Sequence, residues 1–188
     1  MSPKLVSKLM LKYLDIDIDK TPLKISLEGT LKCASGKGSS AALATSIARA
    51  LNEHFSLGLD DAKINDVSFE GEKGSAGNPS GIDNTAATYG GFLIFQKNLE
   101  GGPNKIERLS IKEPVEIVLA NTGITQETKE VVAEIKSLKE EHKEKFDKLF
   151  EKYMEVFNDG KQAIADFDMD KLGYLMDVNQ EILREMTL

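Results

Sequence analysis

Cysteine is almost missing from this chain. Cys33 is the single one in 188 residues, so no disulfide can close within the chain and a reducing compartment is the default. Histidine is nearly as scarce, and His54 and His142 stand far apart and match no zinc-ligand spacing. No run of about eighteen apolar residues occurs, so nothing reads as a membrane span. The opening residues lack both the apolar core and the cleavage site of an export signal. Positive charge is in deficit. The 24 Lys and Arg against 31 Asp and Glu leave a net charge of −7, which argues against nucleic-acid binding but leaves room for a local pocket for a small anion. These absences predict a soluble, cytoplasmic protein that binds neither nucleic acid nor membrane. What remains is ordinary: 40% hydrophobic and 29% charged residues, in a length that suits one domain or one and a half with a real core.

The residues of most chemical interest lie in 72–91. Glu72 and Asp83 flank a turn dense in Gly, Asn, Pro and Ser. Gly74, Gly77 and Gly81 are expected to let the backbone approach a ligand closely, and Asn78-Pro79 to set a bend. Ser80 can cap a short helix over 82–87, which would hold Asp83 in its first turn. A carboxylate so held beside a glycine-lined hollow suits a metal ligand or a proton acceptor. A surface loop with ordinary caps is the alternative.

Earlier in the chain, Leu5, Val6, Leu9, Met10, Tyr13 and Leu14 recur at helical spacing after Ser2-Pro3. Leu23, Ile25, Leu27 and Leu31 alternate with polar residues, predicting a half-buried strand over 23–32. A second glycine-serine turn follows: Ala34, Ser35, Gly36, Lys37, Gly38, Ser39, Ser40, Ala41 and Ala42. It leads into a helix with Leu43, Ile47, Leu51 and Phe55 on one face. A strand, a glycine turn and a Ser-Ser helix start together suit an anion site, because first-turn N–H groups and the helix dipole both favour a phosphate; a simple capped turn is the equal alternative. The hydroxyls could cap the helix, bond a phosphate or enter a magnesium shell. A Walker A loop is excluded, since Gly38 stands where Ser or Thr must follow Lys37 and Leu31 occupies the place of the upstream glycine.

A helix over 60–70 is predicted from Ala62, Ile64, Val67 and Phe69, though its periodicity is weak, with Glu72 at its end. Buried strands follow at 91–95 and 115–120, separated by a glycine-rich turn over 99–104. After Asn121-Thr122-Gly123 the chain is helical, first through Val131, Val132, Ile135 and Leu138. The stripes Phe146, Leu149, Phe150, Tyr153, Met154, Phe157 and Leu172, Leu175, Met176, Asn179, Leu183, Met186 read as core faces.

Taken together, the two turns resemble a known family. Gly36-Lys37-Gly38-Ser39-Ser40-Ala41-Ala42 is similar to the second motif of the GHMP small-molecule kinases (galacto-, homoserine, mevalonate and phosphomevalonate kinases). The run from Gly77 through Asn78, Pro79, Ser80, Gly81, Ile82 and Asp83 to Asn84, followed by Thr88-Tyr89-Gly90-Gly91, resembles the mevalonate kinase branch in particular. Gly71-Glu72, Asn121-Thr122-Gly123 and Thr128 continue the likeness, which covers nearly the whole chain.

The resemblance implies an α+β GHMP kinase fold. Residues 1–122 would be an incomplete N-terminal, ribosomal S5-like domain and 123–188 the helical start of the C-terminal domain. It also implies ATP-dependent phosphorylation of the primary hydroxyl of mevalonate, with ATP and Mg²⁺ as cofactors and a homodimer compatible with it. Asp83 would be the general base; Ser40 and Glu72 would hold Mg²⁺; Gly36, Lys37, Gly38, Ser39, Ser40 and Ala41 would cradle the phosphates; and Gly77, Ser80 and Thr128 would lie at the substrate. Such roles suit phosphoryl transfer, which needs positioning and charge neutralisation more than covalent chemistry. Some features depart from the family pattern. Its first motif, Pro-Gly-Lys, and its third, a glycine-rich loop, have no counterpart, so the chain reads as the middle of such a kinase. Ala76 stands where mevalonate kinases commonly carry His, and Lys37 replaces an apolar residue. The alternatives are a GHMP kinase for another small alcohol, or a non-catalytic fragment that binds nucleotide or a partner.

Overall fold

A computed structural model describes residues 3–20, 22–29, 38–76, 79–118, 120 and 128–187, with the backbone alone described at 75–76 and 128–130. Two units emerge, Met1–Leu109 and Ser110–Leu188.

In the first unit, α1 (Pro3–Tyr13), α2 (Ser39–His54) and α3 (Asp61–Ala76) pack around one apolar cluster. Val6, Met10 and Leu11 of α1 meet Ala44, Ile47, Ala48 and Leu51 of α2 and Ile64 and Val67 of α3. Helical spacing on α1 and α2 places these residues on single faces, and the alanines let the helices approach closely. Helix α3 runs to Ala76 rather than stopping near 70. Two glycines lie inside it, and each is poor in a helix on its own. Both sit against α1. A Cβ at Gly71 would overlap Met10 Cε, and one at Gly74 would come within 3.2 Å of Leu9 Cδ1 and 3.3 Å of the Val6 backbone nitrogen. Gly74 therefore serves helix packing, which corrects the expectation that it opens space for a ligand.

A short helix, α4 (Ile82–Tyr89), precedes β1 (Phe92–Gln96) and β2 (Lys105–Leu109). The strands form an antiparallel hairpin with Phe92 opposite Leu109 and Gln96 opposite Lys105. β1 was expected and β2 was not, because Glu107-Arg108 interrupts the apolar alternation there. The strand predicted over 23–32 is absent from its described part, 23–29, which has no regular secondary structure and no ladder partner among the described residues. Leu23 packs on the core but Ile25 and Leu27 are exposed. Alternation is necessary for a strand, but hydrogen-bonded neighbours make one.

The second unit consists of α5 (Thr128–Glu141), α6 (Lys143–Asp166) and α7 (Met169–Thr187). Phe146 and Leu149 near the start of α6 cluster with Ile182 and Met186 near the end of α7, so these two helices run antiparallel. The reversal between them uses Phe167 in the left-handed region, at φ 61°, and Asp168 Oδ1, which accepts the Lys171 N–H at 2.9 Å as a helix cap. The stripes expected to be core faces are only partly so. Phe150, Tyr153, Met154 and Phe157 on α6 and Met176 and Leu183 on α7 are exposed. The strand expected over 115–120 is likewise neither paired nor buried where described, with Val118 87% exposed. Periodicity says which residues share a face; only a neighbour covers that face. No helix among the described residues is long and apolar enough to cross a membrane.

Candidate functional site

Three helices of the first unit each bring one polar or charged residue of the sequence motifs forward. Helix α2 begins at Gly38, which takes φ 64°, and Gly38 O accepts the Ala42 N–H at 2.9 Å to close the first turn. Ser39 and Ser40 occupy that turn. In any α-helix the first-turn N–H groups lack intrahelical acceptors and the dipole end is positive, so the start of α2 suits an anion.

Ser40 Oγ donates a 2.5 Å hydrogen bond to Glu72 Oε1 on α3. Glu72 is only 5% exposed, and its placement follows from the extension of α3 past Gly71. Burial pushes the Glu72 carboxyl above the usual carboxylate range; the Ser40 hydrogen bond opposes that shift, and the negative charge of Asp83 adds to it. Asp83 thus lies within electrostatic reach of Glu72. It stands exposed in the first turn of α4, a favourable place for a carboxylate.

The turn into α4 is tightly built. Gly81 takes φ 94°, and a Cβ there would meet Phe95 Cζ at 3.4 Å and Asn104 Nδ2 at 3.5 Å. Ser80 Oγ accepts the Ile82 N–H at 3.3 Å, so Ser80 does support the start of the helix, while Gly81 occupies the cap position itself. The helix extends to Tyr89, slightly past its predicted end. Gly36, Lys37 and Gly77 lie outside the described residues. Thr128 begins α5 in the second unit.

Sequence reading missed the residues that join these helices to one another. Ser68 Oγ donates to Thr45 Oγ1 at 3.0 Å, and Arg49 Nη2 donates to Asp61 Oδ1 at 3.0 Å and to Thr88 O at 2.9 Å. Asn84 Nδ2 donates to Asn65 Oδ1 at 2.6 Å, and Thr85 Oγ1 donates to Gly81 O at 2.6 Å. One signal was available: the weak apolar periodicity of α3, where Asn65 and Ser68 interrupt an otherwise buried face.

The donor set at Ser40 and Glu72 is all oxygen, hard, and beside an anion-binding helix start. Among the described residues no three His, Cys, Asp or Glu side chains gather to cage a metal. The oxygen donors of the pair suit Mg²⁺, which is commonly held by one or two protein oxygens with substrate phosphates and water completing its shell.

Residues 4–91 match the family of GHMP kinases N terminal domain. This segment belongs to the GHMP kinases. Among curated relatives, the mevalonate kinase of Saccharolobus solfataricus is 27% identical over 164 residues, covering 87% of the chain and 50% of that protein. The mevalonate kinase of Pyrococcus furiosus is 29% identical over 174 residues, covering 90% of the chain and 50% of the relative. The chain thus spans about half the length of these curated relatives. The crystal structure of L. major mevalonate kinase in complex with R-mevalonate superposes with a TM-score of 0.83 at 29% identity, over 98% of this chain and 56% of that one. The fold is that of a GHMP kinase, α+β in class.

Proposed function

We propose that this chain carries the phosphate- and alcohol-binding centre of a mevalonate kinase, which moves the γ-phosphoryl group of ATP to the primary hydroxyl of mevalonate and yields 5-phosphomevalonate and ADP. The observation that carries this reading is the part-buried hydrogen bond from Ser40 at the start of α2 to the buried Glu72, with the Asp83 charge acting on Glu72. The likeness to mevalonate kinases over most of the chain supports it.

In this reading the first turn of α2, from Gly38 to Ala41, binds phosphate oxygens, and Gly36 and Lys37 continue that cradle. Asp83 accepts the hydroxyl proton as the alcohol oxygen bonds to the γ-phosphorus and the β–γ bridging oxygen leaves with ADP. Gly77 and Ser80 orient the alcohol. Ser40 and Glu72 hold Mg²⁺, which when bound neutralises charge on the β- and γ-phosphates. Glu72 must be ionised for this role, so its raised pKa makes metal binding weaken as the pH falls. We place the division between the N-terminal and C-terminal GHMP domains at 122/123.

The test is ATP-dependent phosphorylation by this chain with Mg²⁺, using mevalonate beside galactose, homoserine and phosphomevalonate, with calorimetry of MgATP binding in parallel. Turnover on mevalonate alone supports the reading. Turnover on a different alcohol replaces the substrate assignment. MgATP binding without any turnover identifies a nucleotide-binding protein instead, and neither binding nor turnover rejects the site.

A further inference from the structure

We infer that the polar seam between α2, α3 and α4 is a positioning device: it sets the register of α4 on α3 and so fixes the position of Asp83, the residue just before Asn84. The seam rests on the kinase reading only for what Asp83 then does; its geometry stands apart from that.

Side-chain pairs run along the antiparallel α2–α3 interface as Ser40–Glu72, Thr45–Ser68 and Arg49–Asp61. On α3, Asn65, Ser68 and Glu72 follow one another at intervals of three and four residues, so they share one face. Asn65 extends the same face to α4. Its Oδ1 accepts from Asn84 Nδ2 at 2.6 Å, its backbone oxygen accepts from the same amide at 3.4 Å, and its Nδ2 donates to Thr85 Oγ1 at 3.3 Å. Arg49 closes the far end of α4 through Thr88 O at 2.9 Å. Asp83 immediately precedes the locked residues Asn84 and Thr85.

The choice of polar residues here is informative. Asn84 is 2% exposed, and Thr45, Ser68, Thr85 and Thr88 are also buried, in positions where apolar side chains would hold the helices together at least as well. Asn84 Oδ1 and Thr88 Oγ1 find no hydrogen-bond partner among the described residues, and unmet buried acceptors cost stability. An interface chosen for cohesion alone would avoid that cost. Directional bonds do what apolar contacts do not: they discriminate against neighbouring registers. A slip of one residue turns a helix face by about 100°, which would break the Asn65–Asn84–Thr85 bonds and swing Asp83 to another side of α4.

Two variants of this chain and one restoring control test the inference. Asn65→Leu/Asn84→Leu replaces the lock by apolar contact, and Thr85→Val removes one hydroxyl without changing shape, with Thr85→Ser as the variant that restores it. The expected result is a melting temperature unchanged or raised for the Leu pair, with amide hydrogen exchange across 82–89 accelerated about tenfold or more. For turnover, kcat should fall about tenfold or more in the Leu pair and in Thr85→Val while KM changes little, and Thr85→Ser should recover both rate and exchange protection. Unchanged exchange across 82–89 in both variants would overturn the inference. So would unfolding of the Leu pair with stability lost in Thr85→Val, since that is the signature of a cohesive seam. If the unaltered chain turns over no alcohol, the kinase reading fails on its own, and the exchange measurements still decide the seam.

Discussion

The helices of the two units use their faces in opposite ways. On α3 the segregation of apolar residues is the weakest of any described helix, yet Asn65, Ser68 and Glu72 on its inner side are drawn into hydrogen bonds with neighbours. On α6 that segregation is strong, yet Phe150, Tyr153, Met154 and Phe157 are exposed. A strong apolar stripe marks cohesion that is available, whereas polar residues breaking into a buried face mark geometry that has been specified. In this chain the candidate chemistry sits with the second kind of face. The weaker periodic signal was the more informative about function.

The largest effect expected is at the acid next to the lock. Asp83→Asn should lower phosphoryl transfer by about 10²–10⁴-fold, the usual contribution of a general base, with little change in melting temperature because Asp83 is exposed. Undiminished turnover would remove Asp83 from the base role. Cohesion in the second unit should depend on Phe146, which is 1% exposed, and Phe146→Ala should cost about 3–5 kcal/mol in chemical denaturation. In the first unit, Gly74→Ala should destabilise by about 1–3 kcal/mol, because its methyl group meets the Val6 backbone nitrogen as well as Leu5 and Leu9 side chains. A neutral or stabilised Gly74→Ala would mean that α1 can move aside.

A pH series probes the electrostatic side of the same contrast. The folded chain holds the Glu72 proton more tightly than an unfolded chain with its ordinary value of 4.5, since burial and Asp83 both raise the folded pKa. Stability from this group is therefore full below that ordinary value and is lost as the pH rises through the raised one. Glu72→Gln should flatten that fall, seen as a smaller drop in melting temperature between about pH 4 and pH 8. The same variant should abolish any stabilisation by Mg²⁺ with ATP; an unchanged pH profile would show that Glu72 does not titrate in this range. The smallest effect is expected on the exposed stripe. Met154→Lys should change stability by no more than about 0.5 kcal/mol, and a large loss would reveal that this face is covered in solution.

Much of the site was legible before any fold was known. Glycine-serine and glycine-asparagine-proline turns mark places where backbone can bind a ligand, and Asp83 just after Ser80-Gly81 is a helix-start carboxylate by local chemistry alone. Both the α2 start and the α4 start formed as expected from those signals. Less legible was what happened to apolar alternation at 23–29 and 115–118, where the segments stand without ladder partners among the described residues. Nor did the local pattern disclose that Gly71 and Gly74 would lie inside α3 instead of ending it, because their tolerance there depends on α1, some sixty residues earlier.

By itself, then, the sequence determined the helices, their apolar faces, the two turns and the residue types able to bind phosphate and accept a proton, since each of these depends on neighbours a few positions away. Tertiary structure alone decided that Ser40 meets Glu72, that Glu72 is buried within reach of the Asp83 charge, and that Asn65 holds Asn84 and Thr85. The hydrogen bonds among them join residues 32, 20 and 19 positions apart. Their partners are chosen by how whole helices pack, and no local spacing rule reaches across that distance.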